Sequence, residues 1–190
     1  MPRRASEGSW LCAARKPLWK CEKVSYQNKT FVSFDGDTDI HYYRLMTAWK
    51  QNDNHNFNFY NAHDLNTARD SSAEESIKAQ LAERLRNTKV FVLLVGQSTR
   101  YLYKFVLWEI EQALKRNLPI VVVNLNGKRS MDNERCPSLL HNTLAIHISF
   151  NAAIMQRALE SWPVSDASLR AQGKGGPYYY TDDIYRGLGL

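Results

Sequence analysis

Long hydrophobic runs are missing from this chain. The longest, Val90–Val95 and Leu118–Val123, fall far short of the roughly 18 apolar residues that a membrane-spanning helix needs. Near the start, Arg3 and Arg4 precede only a short apolar stretch, Trp10–Ala14, and Arg15 and Lys16 interrupt it too soon for the core of a secretory signal. Cysteine is scarce, at three widely spaced residues, Cys12, Cys21 and Cys136. An odd, scattered set excludes a disulfide framework and a paired-cysteine zinc site, and it points to a reducing compartment. The expected location is therefore cytoplasmic. Cys136 and His141 lack a second pair of ligands, so no metal site is expected there. Glycine-rich phosphate signatures are missing too. No G-x-G-x-x-G follows the first apolar strand, and Asn126-Gly127-Lys128-Arg129-Ser130 has Val122 where a phosphate loop would need its first glycine. That argues against a bound redox dinucleotide.

What is present suits one globular domain. The chain has 190 residues, of which 44% are hydrophobic and 23% charged, enough to bury a full core without disulfides or metal. The net charge of +6 would suggest a nucleic-acid or acidic partner, but its distribution does not. Residues 1–29 hold seven basic and two acidic side chains, which leaves 18 basic and 17 acidic over 30–190. The excess belongs to the N-terminal segment, so neither a nucleic-acid nor a membrane partner is expected for the folded part. Residues 1–28 have no sustained periodicity and read as a basic, weakly ordered extension.

From Lys29 onward strands and helices alternate. Thr30–Phe34 is a short apolar strand, and the turn Asp35-Gly36-Asp37-Thr38-Asp39 follows, with Asp39 as N-cap of a helix over about Ile40–Lys50. A second strand, Phe57–Tyr60, leads into the polar loop Asn61–Ser72. Ser72-Ala-Glu-Glu75 is a capping box opening a helix to Arg86. The continuous apolar runs Lys89–Val95 and Pro119–Leu125 read as strands buried on both faces, separated by a helix over Tyr101–Arg116. A fifth strand, Thr143–Ile148, and a helix over Ala152–Ser161, stopped by Pro163, complete the domain. This alternation predicts an α/β, flavodoxin-like three-layer fold, with a five-stranded parallel sheet of order 2-1-3-4-5 and helices on both faces. The domain is expected to span 29–162, followed by a Gly/Tyr-rich tail, 163–190, that packs back on it.

In such sheets ligands bind beyond the carboxyl ends of the strands where the strand order reverses, here between the first and third strands. The walls would be Phe34–Asp39 and Gly96–Phe105, with Asn61–Ser72 overhanging. On the helix Tyr101–Arg116, Leu102, Phe105, Val106 and Ala113 form an apolar stripe, and Glu109 falls in its middle. A carboxylate there costs several kcal/mol unless it is paired, protonated or open to a cavity. It is either a functional group at the crevice or a structural acid, buried and bridging to Arg44 or Arg100 or rotated out at the edge of the stripe. Other candidates are weaker. Asp35-Gly-Asp37-Thr-Asp39 is similar to the D-x-D-x-[TV] motif of magnesium-dependent phosphotransferases, but Asp39 stands at its fifth position and no completing Lys and acids follow. His63-Asp64 either orients a ligand or caps a turn. Tyr178–Tyr180 fits a tail packed on its own domain.

Taken together, Phe31-Val32-Ser33-Phe34, the loop Tyr60–Asp70, Val90–Gly96 and Phe105–Leu114 resemble the TIR-like family (Toll/interleukin-1 receptor-type). The nearer likeness is to the prokaryotic TIR signalling enzyme of Thoeris antiphage defence. The first strand matches the family's F-[IV]-S-[FY] start, and the later helix matches the spacing of its W-x-x-x-E pattern, with Phe105 in place of Trp and Glu109 at the catalytic position.

The resemblance implies cleavage of the nicotinamide–ribose bond of NAD⁺, the nucleotide being substrate and no cofactor being needed. The product would be a cyclic or conjugated ADP-ribose messenger that reaches a downstream effector by diffusion. It also implies self-association through TIR surfaces. Phe34, Asp35 and Gly36 would then line the ribose side, His63 and Asp64 would lie over the site, and Phe105 would flank it. Arg100 and Lys104 would meet the pyrophosphate. The alternative expectation is a non-enzymatic TIR module acting by homotypic assembly.

Overall fold

The computed structural model describes residues 29–51, 59–60, 74–102 and 104–190. The N-terminal segment 1–28, the loop carrying His63 and Asp64, and the capping-box Ser72 lie outside the described residues. The elements are β1 (Thr30–Ser33), α1 (Ile40–Gln51), β2 (Phe59–Tyr60), α2 (Glu74–Arg86), β3 (Val90–Val95), α3 (Phe105–Lys115), β4 (Ile120–Asn124), β5 (Ala145–Ser149), α4 (Ala152–Ala171), β6 (Pro177–Tyr179) and α5 (Asp182–Gly187).

All pairings in the sheet are parallel, and the strand order is β2-β1-β3-β4-β5-β6. The expected flavodoxin-like order 2-1-3-4-5 is thus present, with a sixth strand added beyond β5. β1 registers on β3 with Thr30 opposite Val90 and Ser33 opposite Leu93. That register brings the carboxyl end of β1 beside that of β3, where the sequence placed the crevice.

The central strands are continuously apolar because both of their faces are covered. Alternate residues go to opposite sides. Val32, Val90, Val92, Leu94, Val121 and Val123 face one core with Met46 of α1 and Ile154, Met155, Ala158 and Trp162 of α4. Phe31, Phe91, Leu93, Val95, Ile120 and Val122 face the other, with Ile77, Leu81 and Leu85 of α2 and Val106, Ile110 and Ala113 of α3. Each large side chain buried this way stabilises the fold by about 1.5–3 kcal/mol. Among the described residues no helix is long and apolar enough to cross a membrane.

Two expectations need correction. The helix expected to stop at Pro163 runs on to Ala171 with Pro163 inside it. A proline there lacks the N–H and crowds the carbonyl one turn back, a cost of about 3 kcal/mol. The turns that follow offset this by what they bury: Leu169 packs against the core, and Asp166, 2% exposed, accepts two hydrogen bonds from Arg170 at 2.7 and 3.1 Å. The true stop is Gly173, whose φ of +66° suits glycine. Its N–H reaches Arg170 O at 2.9 Å and the Lys174 N–H reaches Leu169 O at 3.0 Å, the paired bonds of a Schellman motif.

The second correction concerns the helix predicted over Tyr101–Arg116, which is broken. A 3₁₀ turn, Thr99–Tyr101, ends at Leu102, whose ψ of 92° is extended, and α3 begins only at Phe105. Glu109 therefore sits at the start of the second turn of its helix, nearer the crevice than the sequence implied.

Beyond α4 the chain continues as regular structure, β6 and α5. β6 pairs with β5, placing Tyr178 opposite Ile146, and the Tyr178 ring lies 5.7 Å from that of Trp162. Tyr180 Oη and Ser161 Oγ are 2.8 Å apart. Tyr185 of α5 is fully buried.

Candidate active site

The crevice forms where β1 and β3 end. After Ser33 the chain leaves the sheet through Phe34 and turns at 36–38, a turn held by the Asp39 N–H donating to Asp35 O at 2.9 Å. Phe34 is buried and stacks on Tyr43 of α1 with centroids 4.9 Å apart, which fixes the exit path of β1. On the β3 side the chain passes Gly96, whose N–H donates to Thr99 Oγ1 at 2.8 Å.

Between these walls and the N-terminus of α3 lies a cavity of about 430 Å³, lined by Phe34, Asp35, Gly36, Asp37, Tyr101, Leu102, Lys104, Phe105 and Val106. Five of the expected site residues (Phe34, Asp35, Gly36, Lys104, Phe105) therefore share one cavity. Arg100 does not join them: it is exposed and donates to Glu134 O at 3.4 Å in the segment after β4. The N-cap of α3, Lys104, makes no side-chain cap hydrogen bond, and the first residues of that helix, Phe105 and Val106, line this cavity. Sequence reasoning had not drawn on that feature.

Glu109 lies one turn beyond Phe105 on the same helix face and is 3% exposed. Ser33 Oγ donates to Glu109 Oε2 at 2.5 Å, a buried bond that ties α3 to the last residue of β1. Ser33 immediately precedes Phe34, so this pair forms the layer under the residues that line the cavity. Ser33 was missed as a site residue, although the alternation along β1 put it on the α3 side.

Asp35 is held in its charged form. Burial works against the carboxylate, but hydrogen bonds from Ser98 Oγ (2.5 Å), the Asp37 N–H (3.0 Å) and Thr38 outweigh it and bring its pKa below the usual value. Asp39 goes the other way: burial, and then the charge of Asp35, raise its pKa. Its backbone carbonyl accepts from the Tyr42 and Tyr43 N–H groups at 3.0 and 3.4 Å, while its carboxyl group lies over Gly96. A Cβ at Gly96 would stand 2.2 Å from Asp39 Oδ2, so glycine is required by close approach and not by its φ. Gly96→Ala is expected to cost about 1–3 kcal/mol in urea unfolding. The penalty should shrink by at least half in an Asp39→Ala background, because the clash is with that side chain. An unchanged penalty would show that something else at Gly96 is strained.

Among the described residues no group of three or more His, Cys, Asp or Glu is placed to hold a metal ion. Cys136 is buried and its thiol is pushed up to about 12, first by burial and then by Asp132, which makes it unreactive.

A parallel sheet in this order, with helices on both faces and a crevice between β1 and β3, defines a flavodoxin-like domain. A protein-family model described as "Thoeris protein ThsB, TIR-like domain" matches residues 31–130. The chain belongs to that family, which places it in antiphage defence. No curated protein matches the chain.

Proposed function

We propose that this domain cleaves the nicotinamide–ribose bond of NAD⁺ and releases an ADP-ribose-derived signal. The observation that carries the reading is Glu109, a carboxylate in the apolar face of α3, one turn below Phe105 at the cavity. Nicotinamide leaves as a neutral molecule from a cationic substrate, so no second acid is needed to protonate it. The bond breaks through an oxocarbenium-like state, and a nearby carboxylate stabilises the positive charge that develops at the anomeric carbon. Glu109 supplies that charge, Phe34 and Phe105 bound the space for the ribose and base, and Asp35, held ionised, accepts from ribose hydroxyls. Lys104 and the uncapped N-terminus of α3 suit the pyrophosphate, since backbone N–H groups at a helix start favour anions. NAD⁺ is substrate here, in keeping with the absence of a glycine-rich dinucleotide loop. The test is release of nicotinamide from NAD⁺ by purified protein, alone and with a phage-derived trigger.

Ser33 acts through Glu109 and is a positioning residue. Removing its hydroxyl leaves the buried Oε2 without that donor, a loss of about 1–3 kcal/mol. Ser33→Ala is expected to lower kcat about tenfold with KM little changed, and Ser33→Thr to restore most of it. A change confined to KM would place Ser33 in binding instead.

The second reading is a non-enzymatic module that works by homotypic assembly. The depth of Glu109 and its bond to Ser33 favour it, because a structural acid would be held in the same way. If nicotinamide never appears, with or without trigger, this reading stands.

A further inference from the structure

Ser98 stands at the N-cap of the 3₁₀ turn Thr99–Tyr101, a position where a serine hydroxyl ordinarily closes the turn on itself. It makes no such side-chain cap here. Its hydroxyl instead crosses the crevice and donates to Asp35 Oδ2 at 2.5 Å, 63 positions away in the chain. The backbone that presents it is fixed from both sides. The Gly96 N–H donates to Oγ1 of the fully buried Thr99 at 2.8 Å, and the Tyr101 N–H donates to Ser98 O at 2.8 Å. On the opposite wall, Asp35 Oδ1 accepts the Asp37 N–H at 3.0 Å. The two oxygens of this carboxylate are thus held from different walls, one from the end of β3 and one from the turn after β1.

We infer that Ser98 is a positioning residue for substrate binding, which holds the Phe34–Gly36 wall and the Asp35 carboxylate in the form that receives the ribose. The inference rests on the reading that NAD⁺ occupies the cavity above Glu109. Asp35 lines that cavity yet is 5% exposed, so burial works against its charge. The groups around it do little to help. Asp37 and Asp39 add like charge on the same turn, His41 and Arg135 act on Asp39, and Lys104 and Tyr101 line the cavity from its other side. Among the bonds that favour the carboxylate, the one from Ser98 leads, ahead of the Asp37 N–H and Thr38. A methyl group in place of that hydroxyl weakens the hold on the charge and cuts the tie between the walls. A wall fixed before the substrate arrives saves ordering on binding, so the effect belongs in KM. Ser33, which acts on Glu109, belongs in kcat.

The experiment uses the full chain and the variants Ser98→Ala, Ser98→Thr, Asp35→Asn and the double variant of Ser98→Ala with Asp35→Asn. Each is read by initial rates of nicotinamide release and by NMR titration of the aspartate carboxyl carbons. Ser98→Ala is expected to raise KM for NAD⁺ about tenfold, the loss of one hydrogen bond to a charged group, with kcat within about twofold of wild type. Its Asp35 should titrate at higher pH than in wild type. The rise in KM on acidification should begin at higher pH too, because protonated Asp35 is the weaker acceptor. Ser98→Thr keeps a hydroxyl and should restore both. In the Asp35→Asn background Ser98→Ala should add less than about twofold, since its effect runs through Asp35. The inference is overturned by an Asp35 titration that Ser98→Ala leaves in place, by a loss confined to kcat, or by losses that add in the double variant. Should the wild type release no nicotinamide, the enzymatic reading falls alone. NAD⁺ affinity by calorimetry then takes the place of KM: the same ranking of variants supports the inference, and its absence overturns it.

Discussion

Glu109→Gln is expected to abolish nicotinamide release from NAD⁺ while leaving the fold at least as stable as the wild type. The two halves of that result come from one property of the site. Glutamine has the shape of glutamate, and its carbonyl oxygen still accepts the Ser33 hydroxyl, so the bond between β1 and α3 survives. What is lost is the charge. In the folded protein that charge sits at 3% exposure in an apolar face, where it is costly, so its removal should leave the urea midpoint unchanged or raise it. In the reaction the same charge stabilises the positive centre formed as nicotinamide departs, in a site shielded from water. Loss of one such interaction typically costs about 100- to 1,000-fold in kcat, and more where no other group shares the role. The other buried carboxylate at this cavity, Asp35, is already engaged by Ser98 and the Asp37 N–H, so a fall of about 1,000-fold is expected. Progress curves for nicotinamide, read beside urea melts of both proteins, check it. Full turnover by Glu109→Gln would remove the basis for the enzymatic reading. Loss of stability together with activity would make Glu109 a structural acid.

Much of this arrangement was legible in the sequence because it rests on periodicity. The runs Val90–Val95 and Ile120–Asn124 are apolar at every position because helices cover both faces of the sheet, and that pattern alone predicts buried parallel strands. Parallel strands joined by helices give few orders, and the crevice follows from the order. Glu109 was legible for the same reason, as one polar residue inside a stripe.

What escaped depended on contacts between distant residues. Ser33 and Glu109 are 76 positions apart, and nothing local to either names the other. The break between Tyr101 and Phe105 has no glycine or proline to mark it. Asp39 was read as a helix cap because Asp before an apolar helix often is one. Its carboxyl group instead lies over Gly96, a partner 57 residues away that sequence spacing cannot supply. At Pro163 a strong local stop signal yielded to tertiary burial of the turn that follows it, whereas the stop that operates, Gly173, was present as a glycine just past the last helical turn.

That overruled stop leads to the second large effect, which falls on stability. If 163–190 were an accessory tail, truncating a side chain in it would cost little. Tyr185 of α5 is instead fully buried and belongs to the core shared by β1, β3, β4, β5 and α4. Its hydroxyl accepts the Ser149 N–H at 3.2 Å, just where β5 ends, and the Arg129 guanidinium lies 4.2 Å from its ring centroid. Tyr185→Ala removes the ring, the acceptor and the cation's partner together, and leaves a cavity that the sheet cannot collapse to fill. Aromatic-to-alanine changes in cores cost about 3–5 kcal/mol. For a chain of this length that lowers Tm by on the order of 10 °C. Tyr185→Phe keeps the ring and should cost only about 1 kcal/mol, the share of the hydrogen bond. Tyr179→Ala, on the same tail but 62% exposed, should stay within about 0.5 kcal/mol of wild type. Thermal and urea unfolding of the three variants separates the cases. A Tyr185→Ala protein within about 1 kcal/mol of wild type would return the segment to the status of a tail. The expected ranking, with one cooperative transition throughout, would make β6 and α5 part of the domain that holds the site.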